Sequence, residues 1–255
     1  MKTELKNRDG IILAAGLGSR LVNSNSETTI KPLANVESIA LLVRTINSLE
    51  VADCNRIVIV LGWKAEEIKG QIVKRYNGPL KLDFAYNDHY KLKNGISVLC
   101  AQPFISGEFI LTMADHVLDD DIMFRIRGHH PPEGGATLCV DYKLDTIFDI
   151  DDATKVLAVE SRIKKIGKKL KDYNCIDTGV FIGTNGLMEA IDRVYKKKGD
   201  ASLSEGVQVL ANKGLMEVLD IEDAYWQDVD NEHMLKHAEK LLRWRSNNIR
   251  KTALN

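Results

Sequence analysis

The chain has 255 residues, 44% of them hydrophobic, with 35 Lys and Arg against 36 Asp and Glu for a formal net charge of −1. That length can bury a substantial core and suits one α/β domain. The even charge balance argues against a protein whose main business is coating nucleic acid. Four cysteines, Cys54, Cys100, Cys139 and Cys175, lie far apart without metal-ligand or redox spacing, as expected of reduced thiols in a cytoplasmic protein. The N-terminus is too polar for a signal peptide, and no apolar run reaches membrane-spanning length.

In chain order, the apolar and β-branched runs 11–15 and 56–61 are predicted to be strands buried on both faces. Residues 37–49 between them carry helical periodicity, as do 64–76 after them. Strands are predicted at 82–86 and 108–113. The alternation points to a mostly parallel sheet with crossover helices. After about residue 135 the pattern changes, with strands at 136–141, 155–160, 162–166 and 176–182. Helices are then expected at 185–197 and 202–212, short strands at 215–219 and 224–227, and a last helix at 231–244 capped by Asp230 or Asn231. No internal repeat, low-complexity tract or linker interrupts the chain. The reading is a single domain over 1–255, with a nucleotide-binding half (about 9–135), an acceptor-binding half (about 136–230) and a C-terminal helix (231–255). The apolar side of 203–210 or of the last helix either covers the sheet or pairs subunits, so a homodimer is a candidate assembly.

The chemistry starts where the first strand ends. Ala14-Ala15-Gly16 turns through Leu17-Gly18-Ser19-Arg20, which exposes several backbone N–H groups at one point and lets the backbone approach an anion closely. Arg20 can fork onto phosphate oxygens, and Lys31, followed by Pro32-Leu33, can act as a point charge beside an α-phosphate. A dinucleotide fingerprint would need a third glycine where Arg20 and Leu21 stand, and the Gly-Lys-Ser/Thr of a P-loop is absent. The strand 108–113 leads into Ala114-Asp115-His116, which puts Asp115 where open α/β sheets bind ligands. Asp228 and Asp230 lie near a second strand end, and alternation puts them on one face. Carboxylates of this kind, with phosphate and water, suit Mg2+. Asp119, Asp120 and Asp121 are expected to open the next helix. His116 is not needed as a general base, because an attacking phosphate oxygen is already ionised. Asn87, and then Asn94-Gly95-Ile96-Ser97, could read a base and ribose through amide groups and backbone.

The stretch Leu13–Leu21 with Lys31-Pro32-Leu33 resembles the signature of nucleotidyltransferases that join a nucleoside triphosphate to a phosphorylated small molecule. Met113-Ala114-Asp115-His116, the segment 151–155, Lys164-Lys165-Ile166-Gly167-Lys168, Ile176-Asp177-Thr178-Gly179 and Trp226-Gln227-Asp228-Val229-Asp230 narrow the likeness. Together they resemble the CTP-dependent inositol-1-phosphate cytidylyltransferases over most of the chain. The resemblance implies a Rossmann-like, three-layer α/β/α fold with a mixed, mostly parallel sheet of the glycosyltransferase-A type. It implies that Ala14, Ala15, Gly16, Gly18, Ser19, Arg20 and Lys31 hold the triphosphate, with Arg20 and Lys31 catalytic. Asn87, Asn94, Gly95 and Ser97 would lie near the nucleoside. Asp115 and Asp230, with Asp228, would hold Mg2+, and His116, Lys155, Lys165, Asp177 and Thr178 would face the acceptor. The partners implied are CTP and a phosphorylated or phosphonate small molecule. Two departures stand out: Ala114 where relatives often have glycine, and Asn231-Glu232-His233-Met234 where they often have Thr-Pro-Glu-Asp. Lys31→Ala or Asp115→Ala is expected to lower activity by orders of magnitude while thermal unfolding barely moves.

Overall fold

A computed structural model describes residues 8–18 and 30–252, with side chains through residue 244. Ser19, Arg20 and the polar stretch before Ile30 lie outside the described residues. The chain runs through β1 (Arg8–Ala14), a short hairpin of β2 (Asn35–Val36) and β3 (Ile39–Ala40), α1 (Leu41–Val51), β4 (Cys54–Leu61), α2 (Ala65–Arg75), β5 (Lys81–Tyr86), α3 (Gly95–Ala101), β6 (Phe109–Met113), β7 (His116–Leu118) and α4 (Asp120–Ile126). It continues through β8 (Ala136–Asp141), β9 (Lys155–Val159), β10 (Arg162–Gly167), β11 (Cys175–Gly183), α5 (Asn185–Lys198), α6 (Leu203–Ala211), β12 (Met216–Asp220), β13 (Trp226–Asp228) and α7 (Glu232–Thr252).

The main sheet has nine strands in the order β5-β4-β1-β6-β11-β8-β12-β10-β9. All share one direction except β10 and β11, which run against their neighbours. Alternation along β1 assigns its two faces. Ile11 and Leu13 join Val58, Val60 and Leu111 under α3, α5 and α6. Ile12 and Ala14 join Ile57, Ile59 and Ile110 under α1, α2 and α4. Both faces are thus apolar and covered, as buried parallel strands require, and the result is a three-layer α/β/α fold. Leu203, Val207 and Leu210 of α6 pack onto the sheet, and Ala238 of α7 packs with Val36, Leu41 and Val117.

Helix ends follow their capping chemistry. Asp119 accepts from the Asp121 amide to start α4, Ser202 and Glu205 form a reciprocal capping box on α6, and Asn231 accepts from the Met234 amide to start α7. Two elements differ from expectation. The helix predicted from residue 37 starts at Leu41, because Glu37 adopts a left-handed φ of 58° in the β2–β3 turn. The Arg44 guanidinium then fixes that hairpin through the Val36 carbonyl. The strand predicted at 224–227 becomes β13, which leaves the main sheet to pair antiparallel with β7 and sets Asp228 opposite His116.

Candidate active site

A cavity of about 740 Å3 opens at the carboxyl ends of β1, β6 and β8, beside the amino-terminal half of the antiparallel β11, where ligands of open α/β sheets bind. Ala15 and Gly16 line it just past β1, and Asn94 and Ser97 line it near α3. Asp115, His116, Asp228 and Asp230 also line it, as do Lys143, Phe148, Lys168 and Asp177.

Asp115 and Asp230 on its wall belong to an ion cluster assembled from three distant segments, whose cation, Lys31, lies behind that wall. Residues 31–33 form a 3₁₀ turn with Pro32 at its start, where a missing N–H costs nothing. The turn buries Lys31 to 7% exposure. Gly18 makes the approach possible, because at φ +60° a Cβ there would sit 2.7 Å from the Lys31 Cβ. The Lys31 ammonium donates to Asp115 Oδ2 at 2.5 Å and also to Asp230 Oδ1. Asp115 is aimed by its neighbours: the Ala114 amide bonds the Leu13 carbonyl, and the Val229 amide bonds the Asp115 carbonyl at 2.9 Å. His116 Nδ1 lies 2.7 Å from Asp115 Oδ1, and its ring stacks on Trp226. Opposite His116, Gly179 at φ +76° leaves room that a Cβ would fill at 2.7 Å from Nε2.

These contacts set the charges. Burial works against the Lys31 ammonium, but Asp115 and Asp230 outweigh it and raise its pKa. Burial likewise works against the Asp115 carboxylate, yet Lys31 and His116 hold it well below the usual carboxylate range. His116 is raised, its desolvation being more than offset by Asp115. Asp228 is pushed up by burial and, beyond the counteracting His116, by Asp230 and Asp115. Asp177 is pushed up to about 6 by burial, with the Gly179 amide and His116 acting the other way.

The cluster also tests the fit of a divalent metal. No group of three or more His, Cys, Asp or Glu side chains is arranged as a metal cage among the described residues. Yet Asp115 and Asp230 already converge on one cation, the Lys31 ammonium, with Asp228 close enough to feel both charges. A hard ion that takes one or two carboxylates and completes its shell with phosphate and water fits this arrangement. Nucleotidyltransferases of this kind generally use a divalent metal.

The remaining expected residues divide by what they touch. Asn94 and Ser97 line the cavity, and Asn94 Oδ1 also accepts from the Leu203 amide at 2.9 Å. Asn87 and Gly95 stand behind that wall. Asn87 donates to Ser97 Oγ and accepts from the His89 amide, whereas a Cβ on Gly95 would meet the Ala201 carbonyl at 2.5 Å. Thr178 is fully buried with its hydroxyl on the Cys139 carbonyl, so its direct reach toward an acceptor is corrected to a structural tie. Lys155 is buried with its ammonium on the Asp151 carbonyl. Lys165 is exposed on β10, and neither lysine lines the cavity. The cations that do are Lys143, paired with Asp141 at 2.8 Å, and Lys168, paired with Asp152 at 2.8 Å. Lys143 was not singled out from sequence, although its place just beyond the end of β8 was a usable signal. Phe148 and His237 carried no signal, since only the fold brings them together.

The description "MobA-like NTP transferase domain" matches residues 10–212. The chain is 31% identical over 91% of its length to a protein of Aquifex aeolicus named bifunctional IPC transferase and DIPP synthase, covering 51% of that protein. The chain thus spans about half the length of the curated relatives of that name. It is 27% identical to a 2-aminoethylphosphonate cytidylyltransferase of Lancefieldella rimae, over 89% of this chain and 80% of that one. Among solved structures it is similar to the inositol-1-phosphate CTP transferase from T. maritima, with a TM-score of 0.81 and 26% identity over 91% of this chain and 94% of that one. No helix among the described residues is long and apolar enough to cross a membrane.

Proposed function

This chain belongs to the MobA-like NTP transferase family, and from that premise we propose that it transfers CMP from CTP to a phosphorylated small alcohol of the inositol 1-phosphate kind, releasing pyrophosphate. It is a nucleotidyltransferase. The observation that carries the finer reading is the convergence of Lys31 on Asp115 and Asp230, two carboxylates of the cavity wall. Nucleotide is assigned to the wall formed by Ala15, Gly16, Asn94 and Ser97, and acceptor to the end holding Lys143, Lys168 and Asp177.

In this reading an acceptor phosphate oxygen attacks the α-phosphorus of CTP. The new P–O bond forms as the bond to the β-phosphate bridging oxygen breaks, and pyrophosphate carries the electron pair away. The attacking oxygen is already ionised, so the chain supplies position and charge rather than a base. Lys31, held charged by its carboxylates, neutralises charge gathering on the α-phosphate oxygens, and Arg20 is assigned the same task on the leaving phosphates. Asp115 and Asp230 would hold Mg2+, which when bound polarises phosphate oxygens as a Lewis acid. His116 orients Asp115 through its 2.7 Å contact, and Lys143 and Lys168 receive the acceptor's anionic end.

The test is pyrophosphate release from each nucleoside triphosphate with a panel of phosphorylated alcohols and phosphonates. Turnover confined to CTP with a polyol phosphate is expected. Release with UTP or GTP and a sugar phosphate, but not with CTP, refutes the assignment. A second reading, an amino-phosphonate or amino-alcohol phosphate acceptor, is favoured by Asp149 and Asp152 beside Phe148 and Trp226 on the cavity wall, which would suit an ammonium group. The same panel decides it.

A further inference from the structure

The loop 142–154 joins β8 to β9 and lines the cavity through Lys143, Phe148, Asp149 and Asp152. Its regular structure is a single 3₁₀ turn, Leu144–Thr146. It meets α7, a different part of the chain. The Phe148 ring stacks on His237 with centroids 4.3 Å apart and planes 29° apart, and it tilts against His233 at 4.9 Å. The two histidines sit one turn apart on one face of α7, so they form a ready seat for a flat ring.

The seat is itself fixed from below. His237 Nδ1 lies 3.0 Å from Gln227 Oε1, while Gln227 Nε2 donates to the Asp228 carbonyl at 2.7 Å and to Asp228 Oδ1 at 3.1 Å. With the amide nitrogen committed to Asp228, its oxygen faces the imidazole, so Nδ1 carries the proton and donates. Gln227 is buried to 4% exposure, which makes this orientation costly to change. The ring stack is therefore wired through two side chains to an acidic residue of the central cluster.

We infer that Phe148 is a specificity-determining residue: its stack on His237, on the wall of the cavity, straps the loop 142–154 in place at the acceptor end, so that acceptor affinity depends on that stack. This rests on the reading that this end of the cavity receives the acceptor. Phe148→Ala and His237→Ala should each raise KM for the phosphorylated acceptor at least about tenfold, with KM for CTP changing less than about twofold. His237→Phe keeps a ring for the stack but loses the Gln227 bond, and it should stay near wild type in acceptor KM. Hydrogen exchange by mass spectrometry on the full chain supplies a second readout, in which peptides covering 142–154 should exchange at least about fivefold faster in both alanine variants and not in His237→Phe. Unchanged exchange in the alanine variants overturns the strap, whatever the substrate. Faster exchange with both KM values rising equally, or with only kcat falling, overturns the specificity role. A wild-type chain that transfers nucleotide to no acceptor in the panel overturns the functional reading, and the specificity role with it.

Discussion

Replacing Lys31 by methionine keeps the packed stem and removes only the charge. The structure gives the consequences a size. Lys31 is 7% exposed and bridges Asp115 and Asp230, whose side chains are 29% and 13% exposed. Removing one partner of a buried ion cluster costs about 3–5 kcal/mol, and the opening onto the cavity lets water relieve part of that. A loss of about 2–3 kcal/mol is expected, which for a chain of this size lowers Tm by roughly 4–12 °C. This replaces the expectation from sequence that unfolding would barely move, because a phosphate-facing lysine was not foreseen as the counter-ion of two buried carboxylates. Turnover should fall by about 10² to 10³, the usual effect of deleting one preorganised charge. The two stranded carboxylates should then take a divalent ion instead. Mg2+ at a hundred times its Kd restores about 2.7 kcal/mol, and the Tm gain on adding Mg2+ should be larger in the variant than in wild type, where the ammonium competes for the same oxygens. Differential scanning fluorimetry across a Mg2+ series reads this without any substrate. A variant with wild-type Tm, or one whose Tm ignores Mg2+, would show that Lys31 does not occupy the cation position.

Other outcomes follow from single contacts. Gly18→Ala forces a side chain into φ +60° against the Lys31 Cβ; it should cost about 1–2 kcal/mol in urea unfolding and raise KM for CTP, and an unaffected KM would sever Gly18 from the nucleotide. The raised pKa of Asp177, about 6 against an ordinary 3.8, means that ionisation works against the fold. The penalty is absent below 3.8, grows as pH rises between the two values, and is complete above 6. Asp177→Asn should therefore match wild type near pH 3 and exceed it by about 3 kcal/mol at pH 7.5, whereas a pH-independent difference would contradict the shift. Lys143→Ala and Lys168→Ala should each raise acceptor KM by about tenfold, roughly 1.4 kcal/mol, in steady-state assays that leave CTP saturation unchanged. Lys165→Ala, which changes an exposed strand residue, should alter neither.

Much of the fold could be read in the chain because its strands announce themselves. Residues 11–14 and 57–61 are apolar without alternation, as expected of a doubly covered strand, and they lie in β1 and β4 respectively. Ser202 with Glu205, and Asn231 ahead of α7, show how cap chemistry marks a helix start to within a residue. The hairpin at 35–40 was hidden because Val36, Ile39 and Ala40 also fit a helical face, and only the left-handed Glu37 separates the two. The central ions were legible as residue types, Lys31, Asp115 and Asp230, since charge at strand ends has few other uses. Their mutual pairing was not, because it depends on segments 84 and 199 positions apart in sequence. The basic run at 164–171 shows the same limit. Five lysines look alike in sequence, and only the fold separates Lys168, just past β10 and on the cavity wall, from Lys165 within the strand and away from it.

The seat of β11 between β6 and β8 governs how the polypeptide can be divided. Residues 175–183 are made late, yet they cover the flank of β6, which otherwise would offer unsatisfied amides and carbonyls beside Ile110 and Leu111. A truncation near residue 135 would leave that flank bare and inclined to recruit strands from other molecules. Exchanging acceptor-side segments between homologues therefore means exchanging the middle of a shared scaffold, and grafts that spare β11 and β12 while swapping only 142–154 stand the better chance of yielding folded chimeras.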